Sequence, residues 1–179
     1  MNLLQLHEKY KAVKAREKWA YSRAYLTDVY PNYFEPMRDK VQKVLEIGIW
    51  RGGSALALRE YFPNAVIVGA DIELDRDLRR ANYDRLTLVQ VDQGRPEDLK
   101  RLGDLGPYDF IIEDGSHSFS HQVLAMETLP QYLKPGGVLF IEDVIPKHKG
   151  HRIERYAKEF KRLGLEVIFH LDLIAVRRV

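Results

Sequence analysis

The chain contains no cysteine, which excludes a disulfide, a thiolate metal site and a cysteine nucleophile while leaving the compartment open. It also lacks any apolar run approaching the roughly 20 residues of a membrane span. Its start, Met1-Asn2-Leu3-Leu4-Gln5, has none of the apolar core of a secretion signal. A cytoplasmic protein with no membrane contact is the expectation. A large excess of either charge is lacking too: a net charge of +2 makes no case for nucleic acid. The basic residues of the C-terminal third (Lys147, Lys149, Arg152, Arg155, Lys158, Lys161, Arg162, Arg177, Arg178) are spaced as on a solvated helix face. What remains is ordinary for one globular domain with a full core, 179 residues of which 45% are hydrophobic.

From Val41 onward, short β-branched runs alternate with helical stretches, the pattern of an α/β protein whose mostly parallel sheet is covered on both faces. Strands are predicted at Lys43 to Ile47, Ala65 to Ala70, Leu86 to Val91, Tyr108 to Ile112, Val138 to Ile141, Leu165 to His170 and Leu173 to Arg177. Helices are predicted at Ser54 to Phe62, Asp75 to Ala81, Pro96 to Leu102, Ser118 to Leu133 and Arg152 to Leu163. Only Leu171-Asp172 separates the last two strands, too little for a parallel crossover, so they should close the sheet as an antiparallel hairpin. Residues 1–40 read as an N-terminal helical lid segment on a domain spanning 41–179. Leu3 to Tyr25 has helical composition, and Tyr30 to Pro36 reads as an irregular aromatic connector. Trp19, Tyr21, Tyr25, Tyr30, Tyr33 and Phe34 should pack this segment onto the sheet.

Chemistry collects at the ends of the predicted strands. Asp114-Gly115-Ser116-His117 follows the fourth and Glu142-Asp143 the fifth, so neighbouring parallel strands would bring three carboxylates and an imidazole to the edge where open α/β sheets bind ligands. Carboxylates so gathered repel unless one is protonated or a cation sits between them, which points to a hard divalent metal beside a general base. Glu46-Ile47-Gly48-Ile49-Trp50-Arg51-Gly52-Gly53-Ser54 joins the first strand to a helix, with glycines that let a ligand approach the backbone and free N–H groups that attract an anion. Its second glycine lies four residues after Gly48, which departs from the dinucleotide spacing, and Glu46 would repel a phosphate. Asp71 ends the second strand where a ribose would need an acceptor, and Asp92-Gln93 ends the third where an amide and a carboxylate could read an adenine edge. The ligand implied is an adenosine carrying an amino acid.

With these residues assembled, the chain resembles the class I methyltransferases that use S-adenosyl-L-methionine, a Rossmann-like fold of seven strands closed by an antiparallel hairpin. The run Val44 to Gly48 with Gly52-Gly53-Ser54, then Asp92-Gln93, Asp114 to His117, Pro135-Gly136-Gly137 and Glu142-Asp143, is similar to the metal-dependent sugar O-methyltransferases of mycinamicin and macrocin type. The cephalosporin hydroxylase-like group shares much of the pattern, and Phe34 to Arg38 looks like the segment preceding the first strand in these proteins. The resemblance implies that Gly48, Gly52 and Ser54 contact the methionyl part, with Glu46 shaping the loop or receiving the ammonium through water. It implies that Asp71 and Ile72 meet the ribose region, that Asp92 and Gln93 meet the adenine, and that Asp114 borders the cofactor. Mg²⁺ would be held by Asp114, Glu142 and Asp143, with His117 as base and His121 as its competitor.

The activity so implied is transfer of a methyl group to a hydroxyl of a sugar, glycoside or similar vicinal-diol molecule. A catechol-type O-methyltransferase is the nearest rival, though that group typically has Asp-Asn where this chain has Glu142-Asp143. A non-catalytic S-adenosylmethionine-binding protein is the remaining alternative. Trp50, too large for the main core from a glycine loop, would cover cofactor or substrate, whereas His148 and His151 read as surface residues. The family's longer members carry additional N-terminal regions, and a small domain of this kind often completes its pocket from a neighbouring subunit, so a homo-oligomer is expected.

Overall fold

The computed structural model describes residues 1–15, 23–144, 152–170 and 172–177. The readings made for Trp19, Tyr21, Lys147, His148, Lys149, His151 and Arg178 lie outside the described residues. Seven strands, β1 (Lys43–Ile47), β2 (Val66–Asp71), β3 (Leu86–Gln90), β4 (Tyr108–Glu113), β5 (Leu133–Ile141), β6 (Glu166–His170) and β7 (Leu173–Arg177), form one sheet in the order β3-β2-β1-β4-β5-β7-β6. Strands β1 to β5 pair in parallel, and β7 lies antiparallel to both β5 and β6. Only β7 therefore opposes the rest. The closing hairpin is not a pair of reversed strands at the edge, because β7 inserts between β5 and β6 and returns β6 to the common direction.

Helices α1 (Leu3–Lys9), α2 (Tyr30–Phe34), α3 (Gly53–Tyr61), α4 (Arg76–Ala81), α5 (Pro96–Gly103), α6 (Phe119–Thr128) and α7 (Arg152–Leu163) flank the sheet. None of the described helices is long and apolar enough to cross a membrane. Alternation of side chains along the central strands builds two cores. Val44, Phe110, Ile112 and Phe140 face the N-terminal segment and α3, while Leu45, Ile111, Leu139 and Ile141 face α5, α6 and α7.

Three stretches differ from expectation. Leu3 to Tyr25 is not one helix, since α1 ends at Lys9 and a 3₁₀ turn follows at Val13–Ala15. Tyr30 to Pro36 is helical: α2 follows a π-helical turn at Tyr25–Val29 and leads into a 3₁₀ turn at Glu35–Met37. Pro31 and Pro36 stand at the starts of their turns, where no intrahelical N–H is required. The four-residue spacing puts the Tyr30 and Phe34 rings on one face, stacked at 4.9 Å and set against Phe140. Further on, the helix predicted to reach Leu133 ends at Thr128, because Pro130 has no N–H to continue the ladder, and β5 begins at Leu133 instead of Val138.

Tyr25, Tyr30 and Phe34 are fully buried in the core beneath the sheet. Burial of each such ring is worth about 1.5–3 kcal/mol, which ties this part of the N-terminal segment to the sheet.

Candidate active site

The strand order reverses between β1 and β4, and the crevice at such a switch point is where open α/β sheets bind ligands. A cavity of about 750 Å³ opens there. The turn after β1 is its floor. Gly48 has φ +89°, and a Cβ on it would stand 2.0 Å from the Asp114 carbonyl oxygen, so the loops after β1 and β4 touch backbone to backbone. Trp50, at φ +49°, donates its N–H to Asp71 Oδ2 at 2.6 Å and leaves its ring half exposed at the rim beneath the Arg51 guanidinium.

Gly48, Ser54, Asp71, Ile72, Asp92, Gln93, Asp114, His117 and Asp143 all line this cavity. Three predicted residues do not. Gly52 is turned against Leu78 of α4, where a Cβ would meet Leu78 Cδ2 at 2.4 Å. Glu46 and Glu142 are buried below the wall. Gln93 reaches the cavity with its amide already committed: Nε2 donates to Glu113 Oε1 at 2.8 Å and Oε1 accepts the Ser116 N–H at 2.8 Å. Asp92, beside it, accepts the Gly94 N–H through Oδ1.

The acidic cluster follows from sheet geometry. Asp114 N–H donates to the Ile47 carbonyl and Glu142 N–H to the Glu113 carbonyl, so the ladder continues past the strand ends. With the alternation preserved, Glu46, Asp114 and Glu142, on three adjacent strands, share the face that carries Val44, Ile112 and Phe140.

The N-terminal segment packs on that face, and from its 3₁₀ turn (Val13–Ala15) it inserts Lys14. The Lys14 ammonium stands 2.6 Å from Glu142 Oε1, 3.1 Å from Asp114 Oδ2 and 3.3 Å from Glu46 Oε1. The Tyr30 hydroxyl also donates to Glu142 Oε1, and Tyr25 donates to Asp172 with Asp143 Oδ1 3.4 Å away.

Burial pushes the Asp114 carboxyl up to about 7, with the Asp143 and Glu46 charges adding and Lys14 opposing. Burial and the Asp114 charge likewise push Glu142 up to about 8. Desolvation works against the Lys14 ammonium, yet Asp114, Glu142 and Glu46 together hold its pKa well above the ordinary lysine value. Two buried oxygens among the described residues, Glu46 Oε2 and Glu113 Oε2, have no hydrogen-bond partner.

Asp114, His117 and Asp143 each turn one ligand atom toward the others, all within 4.8 Å, and Glu142 is not in that group. His117 Nδ1 is 4.0 Å from Asp114 Oδ1, and its Nε2 is 3.7 Å from Asp143 Oδ2. Both His117 and Asp143 hold left-handed backbone, φ +54° and +53°, a strain that folds keep where surrounding structure imposes it. His121 also lines the cavity, and its Nδ1 is bonded to Ser116 Oγ at 2.8 Å. Glu142, which the residue pattern adds to this group, is bonded to Lys14 and Tyr30.

A family model described as a methyltransferase domain matches residues 45–144, which contain every one of these cavity-lining predicted residues. The chain belongs to this methyltransferase-domain family. Among curated relatives, 8-demethyl-8-alpha-L-rhamnosyl tetracenomycin-C 2'-O-methyltransferase of Streptomyces olivaceus is 37% identical over 126 residues, 66% of this chain and 32% of the relative. Demethylmacrocin O-methyltransferase of Streptomyces fradiae is 36% identical over 135 residues, 71% of this chain and 33% of the relative. The chain therefore spans about a third of the length of these relatives. A solved structure, the MycE methyltransferase of the mycinamycin biosynthetic pathway in complex with Mg and SAH, superposes with a TM-score of 0.81 at 25% identity, covering 99% of this chain and 54% of that one.

Lys14, Tyr25, Tyr30 and Glu113 escape a reading of the methyltransferase domain's sequence. Charge balance calls for a cation beside several buried carboxylates, but Lys9, Lys11, Lys14 and Lys18 are equivalent by that criterion.

Proposed function

We propose that this domain binds S-adenosyl-L-methionine in the cavity between the loops after β1 and β4 and transfers its methyl group to a hydroxyl of a sugar, glycoside or similar vicinal-diol molecule, with the help of Mg²⁺. The observation that carries the reading is the convergence, on one cavity, of the glycine turn, Asp71 and the Asp114–His117–Asp143 group. The donor set fits a divalent cation: the Asp114 and Asp143 carboxylates converge within 4.8 Å, with the His117 imidazole beside them. The cofactor fits as well, because the glycine turn, Asp71 and Asp92 line one cavity of about 750 Å³. The named O-methyltransferase relatives support the reaction class.

Bound Mg²⁺ would supply Lewis acidity at the acceptor oxygens. Asp114 and Asp143 would hold it. Asp71 would accept ribose hydroxyls through Oδ1, its Oδ2 being bonded to Trp50. His117, with its side chain 43% exposed at the cavity and both ring nitrogens facing carboxylates, would take the proton of the acceptor hydroxyl. A neighbouring subunit and the segment Tyr10 to Lys14, which lines the cavity, would complete the acceptor side.

The test is turnover with diol-containing glycosides and with catechols, with and without Mg²⁺ and a chelator. Asp143→Ala should abolish Mg²⁺-dependent turnover and leave S-adenosylhomocysteine affinity within about twofold, since the cation serves the acceptor. His117→Ala should slow turnover by about 10²–10⁴-fold. Full activity in chelator would overturn the metal role. Loss of Mn²⁺ binding in His117→Ala would make His117 a ligand in place of a base.

A further inference from the structure

Lys14 fills the place that the residue pattern assigns to a divalent cation. Its ammonium lies between Glu142 Oε1 and Asp114 Oδ2, two of the three carboxylates expected to hold the metal, and touches Glu46 behind them. The lysine is buried and comes from a segment whose residues Tyr10 to Lys14 line the cavity. That segment crosses the start of α3 so closely that a Cβ on Gly53 would lie 2.8 Å from the Tyr10 carbonyl oxygen. Asp114 is shared: Oδ2 faces Lys14 and Oδ1 faces His117. Glu142 is not shared, being held by Lys14 and Tyr30.

From this arrangement we infer that Lys14 is a tethered cation that competes with a divalent metal for Asp114 and Glu142, so that metal uptake and docking of the segment Tyr10 to Ala15 oppose each other. The inference rests on the metal reading above. Two cations on one carboxylate repel, and the repulsion is strong where water is scarce. With Lys14 docked, a metal has Asp114 Oδ1 and Asp143. With Lys14 withdrawn, Glu142 becomes available as a further ligand and a buried like charge is gone. Because coupling between two bound states is reciprocal, whatever Lys14 takes from metal affinity, the metal takes from the docking of the segment.

The experiment uses the whole chain and Mn²⁺ as probe, read by calorimetry and electron paramagnetic resonance, in wild type, Lys14→Met, Glu142→Gln and Lys14→Met/Glu142→Gln. Lys14→Met should bind Mn²⁺ more tightly, by the roughly 5–150-fold of an ordinary coupling. Glu142→Gln should reverse that gain in the Lys14→Met background while changing wild-type affinity little. Hydrogen exchange of the unmutated protein supplies a readout independent of any variant's folding. The amides of Tyr10, Lys11, Ala12 and Ala15 are bonded to Leu6, Glu8, His7 and Ala12 carbonyls, and Mn²⁺ should speed their exchange. Equal or weaker Mn²⁺ binding in Lys14→Met, or protection of 10–15 unmoved by saturating Mn²⁺, overturns the competition and leaves the metal site standing. No Mn²⁺ binding in any variant, with S-adenosylhomocysteine still bound, removes the metal reading and this inference together.

Discussion

Asp71 shows how one side chain is divided between structure and ligand. Oδ2 fixes the strained Trp50 turn, and Oδ1 makes only a long 3.3 Å contact with the Glu73 amide, so it is the oxygen available to a ligand. A hydrogen bond to a charged acceptor is worth about 1.5–3 kcal/mol, so Asp71→Ala should weaken S-adenosylhomocysteine binding by roughly 10- to 150-fold in calorimetry. Asp71→Asn, which keeps an oxygen for Trp50, should retain part of it. Unchanged affinity in Asp71→Ala would remove the ribose role. Asp71, like Asp114 and Asp143, is legible in the sequence because it terminates a strongly apolar strand. Gln93 and Glu142 are legible as positions, but their partners Glu113, Lys14 and Tyr30 are 20, 128 and 112 residues away, and local pattern carries no information about contacts at such separations.

The turn between β1 and α3 depends on Gly48 for two separable reasons, its left-handed backbone and its contact with the Asp114 loop. Gly136, in β5, has φ +78° and open space where a Cβ would go, so it isolates the first reason. Gly136→Ala should cost only the left-handed term, about 1–2 kcal/mol in urea denaturation. Gly48→Ala should cost that plus about 1–3 kcal/mol for overlap with backbone that cannot swing aside, and should reduce cofactor affinity as well. Equal losses in the two variants would show that the loops separate freely. The helical form of Tyr30–Phe34 is set at this same level. Two prolines suggest a break when read one at a time, but at the first positions of their turns they begin helix, and only the aromatic core under the sheet settles which role they play.

Stability of the entire fold is tied to pH through His7, which is buried in α1 and donates Nδ1–H to the Leu3 carbonyl at 2.9 Å. Burial lowers its pKa from 6.5 to about 3. The unfolded chain therefore takes up a proton below pH 6.5 that the folded chain refuses, and stability falls as pH falls from 6.5 toward 3, by about 1.4 kcal/mol per unit. Between pH 7 and pH 5 the loss from this one group should be roughly 2 kcal/mol. His7→Gln should flatten that part of the curve relative to wild type in urea titrations, and parallel curves would exclude the linkage. At the same level, the order β3-β2-β1-β4-β5-β7-β6 creates the crevice, because the connections leaving β1 and β4 run to helices on opposite faces of the sheet.

The amino-acid sequence by itself determined the α/β class, the main strands, the glycine turn and the set of acids at strand ends, since each is written in a period of two or four residues or in a turn that only glycine permits. It also carried the family, which lies in the order of those motifs from Val44 to Asp143. The tertiary structure alone decided which carboxylates face one another and which cation lies between them. That outcome depends on β1, β4 and β5 being neighbours, on the face chosen by alternation, and on a remote lysine reaching that face. Electrostatic energy inside a protein is set by distances of a few ångströms across the fold, and a linear pattern records separation along the chain only.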